Sequence, residues 1–170
     1  MPRLHVCSLA LIAETVDKTG ARSLLTLLSP GTEVKRPTAI HPERHLYLAV
    51  SDIIEPMEGH VLPEAAHLDE LLAFVRSWDR EAPLLIHCFA GVSRSTAAAY
   101  IAACALAPAR NEFVIARALR AASPTASPNA RLVALADEAL GRGGRMNEGI
   151  AEIGRGQPCS EGEPFTLELN

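Results

Sequence analysis

Two apolar segments joined by one short loop constrain this chain more than anything else in it. Residues 83–87, PLLIH, form a compact apolar run of the kind that a parallel sheet buries on both faces. Residues 95–107, STAAAYIAACALA, are apolar nearly all round, which predicts an interior helix. Pro108 then stops that helix, because it has no N–H to donate. A buried strand followed closely by a buried helix is the repeating unit of an α/β domain. The loop between them lies where open α/β sheets bind ligands, at the carboxyl end of a strand.

The rest of the chain fits that frame. Residues 3–7 read as a first strand, and Ser8 is placed to cap a helix that runs to Thr19 and stops at Gly20. Residues 22–28 and 45–50 read as strands, and the intervening segment, with Pro30, Gly31, Pro37 and Pro42, as loop. Residues 52–61 form a second loop, broken by Pro56 and Gly59. Pro63 sits where a helix would begin, and Leu68, Leu71, Leu72, Val75 and Trp78 share one face of a helix predicted to reach about Arg80. Two further helices are expected over 111–122 and 129–141. Seven of the eleven glycines lie at 141 or later, so residues 142–170 read as a glycine-rich tail with one short helix near 147–153. The expected architecture is a single α/β domain over 1–141, with a mainly parallel central sheet of about 4–5 strands flanked by helices.

Composition narrows the function. A chain of 170 residues can bury a core without disulfides or a structural metal. Its net charge of −4 gives no global attraction to nucleic acid or to an anionic membrane, so neither is an expected partner. Any bound anion must be held by a local site. Aromatics make up only 4%, too few for a base-stacking platform. Cys7, Cys88, Cys104 and Cys159 form no C-x2-C pair, so they are read singly, as thiols of a reducing, cytoplasmic compartment. The apolar run over 6–13 is too short for a secretory signal. His41 and His45 are separated by Pro42, and His60 and His67 have no third partner at ligand spacing. No metal or cofactor is therefore expected, and nothing points beyond a monomer.

The informative segment runs His87-Cys88-Phe89-Ala90-Gly91-Val92-Ser93-Arg94-Ser95. A loop entering a helix can turn its N–H groups inward as an anion nest, reinforced by the helix dipole. Gly91 permits the tight turn. Arg94 carries a planar fork suited to two oxygens of a phosphate. As a mere ion-pairing residue it would be badly placed, because the start of a helix repels cations. Cys88 stands at the mouth of the positive field, which favours the nucleophilic thiolate. Ser95 can hydrogen-bond the sulfur. His87 is read as a residue that holds the loop rather than one that shuttles protons. A bare C-x5-R is weak, but five fixed residue types between a buried strand and a buried helix are specific.

At these residues the chain resembles the cysteine-dependent protein tyrosine phosphatase superfamily, whose signature is H-C-x5-R-[S/T]. Length and spacing look most like its dual-specificity branch, including small bacterial tyrosine-phosphatase-like members. The resemblance spans roughly residues 45–140. It implies a hydrolase in which Cys88 forms a phosphocysteine intermediate. Arg94 and the N–H groups of Phe89, Ala90, Gly91, Val92 and Ser93 would bind the phosphate oxygens. It also implies an upstream Asp as general acid, and Asp52, following the LYLAV strand, fits. Glu55 and Glu58 compete on the same loop, whereas Asp69 falls inside a helix. Some members protect the nucleophile with a second cysteine, for which Cys7 is the candidate; Cys104 reads as core and Cys159 as exposed. Asn129 could shape the pocket or cap the last helix. The implied substrates are a phosphorylated protein or a small phosphomonoester of phosphotyrosine type, with phosphoserine and phosphothreonine left open. The alternatives are a non-catalytic phosphopeptide-binding module, or a phosphatase for a phosphoinositide or a nucleotide. The positions Phe89, Ala90, Val92 and Ser93 carry no cation to meet the extra phosphates of an inositol lipid.

Overall fold

The computed structural model describes residues 2–170. Four strands, β1 (Arg3–Cys7), β2 (Ser23–Leu28), β3 (His45–Ala49) and β4 (Leu84–His87), run parallel. A fifth, β5 (Phe165–Glu168), pairs antiparallel with β1 and completes a sheet of order β3-β2-β4-β1-β5. The helices are α1 (Ile12–Thr19), α2 (Ala65–Ser77), α3 (Arg94–Leu106), α4 (Glu112–Ala122), α5 (Ala130–Ala139) and α6 (Arg145–Ile153). This is the α/β domain with a mainly parallel five-stranded sheet that the sequence predicts.

Successive side chains of a strand face opposite ways, and here both faces are buried. Leu4, Val6, Leu25, Leu27, Leu84 and Ile86 join the main core beneath α2–α6. Cys7, Leu24 and Leu85 face the other way, onto Ile12 and Val16 of α1 and onto Ile40. That is why the strands read as continuous apolar runs rather than alternating ones. α1 and α2 cover opposite faces, so β4, flanked by β2 and β1, opens at its carboxyl end into the crevice between two connections. Every residue of α3 from Arg94 to Cys104 is buried, and its run of alanines lets the sheet and the outer helices approach closely.

Three boundaries differ from the sequence expectation. Ser8 does not cap α1: a 3-10 turn, Leu9–Leu11, intervenes, and the Ser8 hydroxyl donates instead to Glu161 Oε1 at 2.8 Å. Helix α2 begins after Pro63 and ends at Ser77. Trp78 leaves it in an extended conformation because its indole N–H donates to the Ala82 carbonyl at 2.9 Å. The third difference lies in residues 142–170. The Asp137 carboxylate accepts from the N–H groups of Gly144 (2.7 Å), Met146 (2.8 Å) and Asn147 (3.4 Å), which starts α6 at Arg145. Arg142 is buried against Glu112 (2.8 Å) and the Cys104 carbonyl (2.7 Å). Beyond α6, Phe165 and Leu167 turn inward and Thr166 and Glu168 outward, making β5. The short helix expected near 147–153 is α6, and Gly149 lies within it, buried against Tyr100 and Glu112.

Candidate active site

The loop after β4 is pinned by its carbonyls. Phe89 O accepts from Leu9 N–H at 3.1 Å, Ala90 O from Gly162 N–H at 2.8 Å, Val92 O from Ser127 N–H at 2.9 Å, and Ser93 O from Asn129 N–H at 3.1 Å. Those four donors come from three separate parts of the chain. With the carbonyls so engaged, no N–H of residues 89–93 has a protein acceptor among the described residues. N–H groups left free in this way can form an anion nest at the start of α3, where the dipole adds positive potential. Gly91 takes φ +73°, and a Cβ there would stand 3.0 Å from both the Cys7 carbonyl carbon and the Ser8 nitrogen. A Cβ on Gly162 would stand 2.8 Å from Gly91 O, so the loop is clasped between the end of β1 and the C-terminal segment.

Within this loop Cys88 Sγ lies 3.0 Å from Ser95 Oγ. Arg94 is buried at the first position of α3, and Nη1 donates to the Val50 carbonyl at 2.9 Å and reaches Ser29 Oγ at 3.4 Å. Among the described residues its Nε has no partner and no carboxylate pairs with it. A buried guanidinium without a counter-charge, at the positive end of a helix, is unfavourable unless an anion meets it.

His87 supports the loop from behind. Its Nδ1 lies 2.9 Å from the Cys88 carbonyl and its Nε2 lies 2.8 Å from Thr26 Oγ1, which is also 2.8 Å from His45 Nε2. The carbonyl can only accept, so Nδ1 carries the proton and Nε2 accepts from the Thr26 hydroxyl. That hydroxyl in turn accepts from His45 Nε2–H. Such a chain needs His87 neutral. Burial first, then the charges of His45 and Arg94, pull its pKa down to about 4, against the opposing pull of the Cys88 carbonyl.

A pH dependence follows. An unfolded histidine titrates near 6.5, so between roughly pH 6.5 and 4 the unfolded chain holds a proton that the native state lacks. Stability is then complete above about pH 6.5 and falls as the pH drops toward 4, by at most ~3 kcal/mol from this residue. Burial also lowers the pKa values of His5 and His45. His87→Gln is expected to remove the larger part of the slope and leave that of His5 and His45. Urea unfolding from pH 7 to pH 4 measures it; an undiminished slope in the variant would show that His87 is protonated in the native state.

Asp52 sits across the loop. Its Oδ1 accepts from Ser93 Oγ at 2.7 Å and from Asn129 Nδ2 at 2.9 Å. Asn129 performs both tasks open to it, since its Oδ1 also accepts from Leu132 N–H at 3.0 Å and caps α5. Ser93, at the N-cap of α3, makes no cap with its hydroxyl and spends it on Asp52. A cavity of about 360 Å³ is shared by Asp52, Cys88 and Arg94, with Phe89, Ala90, Val92 and Ser93 around them. Neither Glu55 nor Glu58 reaches it.

The last residue lining that cavity is Cys159, whose place there sequence spacing gives no means of finding. The C-terminal segment brings it in through the Gly162–Ala90 and Glu161–Ser8 hydrogen bonds. Cys7 is the strand partner of His87, but burial pushes its thiol up to about 12, despite a hydrogen bond to Thr15. Burial likewise pushes Cys104 up to about 12 within the core. Among the described residues no three histidine, cysteine or carboxylate side chains gather as a metal site. No helix among the described residues is long and apolar enough to cross a membrane.

No protein-family model matches the chain, and no curated protein matches its sequence. Solved structures do. The chain superposes on human DUSP28 with a TM-score of 0.60 at 19% identity, covering 82% of this chain and 92% of that one. For DUSP15 the TM-score is 0.63 at 18% identity, covering 88% and 89%. A mouse protein described as a dual-specificity phosphatase and complexed with zinc tungstate gives 0.62 at 18%, covering 86% of each chain. At such identities the likeness establishes the fold.

Proposed function

On the fold of the dual-specificity phosphatases, we propose that this chain is a phosphomonoester hydrolase that works through a phosphocysteine intermediate. The observation that carries the reading is Arg94. It is a buried guanidinium without a carboxylate partner, in one cavity with the Cys88 thiol and beside a row of unpaired N–H groups. Those groups are complementary to a tetrahedral dianion with an electrophilic centre, and phosphate monoesters are such anions.

The reaction runs in two displacements. The Arg94 fork and the nest N–H groups bind the three non-bridging oxygens. The Cys88 thiolate attacks phosphorus in line, and the leaving oxygen takes a proton from Asp52. Ser95, 3.0 Å from the sulfur, stabilises it when it departs in the second step. Water attacks the phosphocysteine, giving its proton to Asp52 and releasing inorganic phosphate. No step requires a cofactor, and the thiol needs the reducing conditions of a cytoplasm. The exposed ring of Phe89 at the cavity mouth favours an aromatic ester, so phosphotyrosine in a protein is the substrate class assigned. A module that only binds phosphate has no use for a carboxylate clamped by Ser93 and Asn129 beside a thiol.

The test is hydrolysis of aryl phosphates in EDTA. Wild type should turn over. Asp52→Ala should lose roughly 10²–10⁴-fold in kcat with phenyl phosphate and far less with p-nitrophenyl phosphate, whose leaving group needs no proton. A uniform loss would make Asp52 a structural residue, no loss would move the acid to Glu55 or Glu58, and activity abolished by EDTA would overturn the mechanism.

A further inference from the structure

We infer that the groove beside the Cys88 cavity reads the polypeptide flanking the phosphorylated residue, and that Arg155 selects an acidic side chain there. The inference rests on the phosphatase reading above.

A second cavity, of about 670 Å³, shares Asp52 and Ser93 with the first and continues away from it. One wall is the loop of residues 53–57; the other is the end of α6 with Gly154 and Arg155. Among the described residues only five large apolar side chains are exposed, and three border these two cavities. Ile54 and Met57, each 56% exposed, stand in the groove, and Phe89, 64% exposed, stands at the other mouth. Apolar surface gathered on both sides of one polar cavity marks a contact surface rather than scattered exposure. A small phosphate ester seated at Cys88 would leave the groove empty. An extended chain advances about 3.3 Å per residue, so a phosphorylated residue at Cys88 would carry its neighbour into the groove.

The charge pattern defines that neighbour. Arg155 is exposed and forms no hydrogen bond or ion pair among the described residues. The nearby carboxylate on α6, Glu152, is engaged with Arg117 at 2.6 Å and does not neutralise it. The facing wall carries Glu55. With Arg155 the one cation against the two carboxylates Asp52 and Glu55, and a net charge of −4, the groove has no general attraction for anions. A preference for acid must therefore be confined to one position of the peptide.

The experiment scans Asp and Lys through the positions flanking phosphotyrosine in a peptide set and measures phosphate release, with p-nitrophenyl phosphate as reference. Wild type should favour Asp over Lys at a single position by roughly three- to fivefold in kcat/KM, the range that a solvent-exposed pair supports. Arg155→Glu should invert that ratio, and Ile54→Ser with Met57→Ser should raise KM for peptides with an apolar neighbour. All should leave p-nitrophenyl phosphate hydrolysis at the wild-type rate. An unchanged Asp/Lys ratio in Arg155→Glu, or a parallel fall with p-nitrophenyl phosphate, would overturn the inference. Hydrolysis of p-nitrophenyl phosphate but of no peptide would overturn it while leaving the phosphatase reading intact. Failure on both would remove that reading itself.

Discussion

Cys88→Ser is expected to abolish turnover, by on the order of 10⁴-fold or more, while leaving oxyanion binding close to wild type. A thiolate is a competent nucleophile near neutral pH; a serine hydroxyl in the same place holds its proton far more tightly. Ser95, 3.0 Å away, is a hydroxyl and not a base that would remove it. The binding elements are separate from the sulfur. The nest is fixed by carbonyl bonds to Leu9, Gly162, Ser127 and Asn129, and Arg94 by its bond to Val50. Calorimetric titration with tungstate should therefore give similar affinity for both proteins, while initial rates separate them completely. A Cys88→Ser protein that still hydrolyses p-nitrophenyl phosphate would contradict the assignment.

Arg94→Lys is expected to lose roughly 10²–10³-fold in kcat and to weaken tungstate binding in parallel. The guanidinium bonds Val50 O with one nitrogen and keeps Nε and the rest of its fork for an anion. An ammonium is a single point of charge, and satisfying the Val50 carbonyl would draw it from the cavity. The loss should appear in kcat as well as KM, because charge on the equatorial oxygens is met by the planar fork in the transition state. An unchanged kcat with a raised KM would reduce Arg94 to a binding residue.

Much of this was legible in the sequence because it is local. The PLLIH strand, the alanine-rich helix and the nonapeptide between them define their own surroundings: burial on both faces, a turn needing Gly91, and a helix start holding Arg94. The choice of Asp52 over Glu55 and Glu58 rests on resemblance; of the three, Asp52 alone lines the Cys88 cavity. What was not legible depends on partners far along the chain. Ser8 has the residue type of a helix cap, but Glu161 competes for its hydroxyl across 153 positions. Thr26 is the one polar side chain of the strand SLLTLL beyond its opening serine, a signal that could have flagged it. Its part in linking His45 to His87 exists only when β2 lies between β3 and β4.

The C-terminal thirty residues were the largest gap. Glycine at 141, 143 and 144 suggests a loose tail, yet Asp137 and the buried Arg142–Glu112 pair convert those turns into the start of a packed helix. The alternation in FTLE was the available strand signal, but four residues are too few to outweigh the composition around them. That segment supplies both Cys159 at the Cys88 cavity and Arg155 at the adjoining groove.

A covalent phosphoryl group on Cys88 is the central claim, and rapid-quench mass spectrometry of the Asp52→Ala protein tests it most directly. In the proposed reaction Asp52 is also the base for the second step, so the variant should accumulate the intermediate with p-nitrophenyl phosphate. The expected result is a burst of nitrophenol equal to the enzyme concentration and one phosphoryl group on the peptide that contains Cys88. Steady nitrophenol release with no burst, and no phosphoryl group on that peptide, would contradict it.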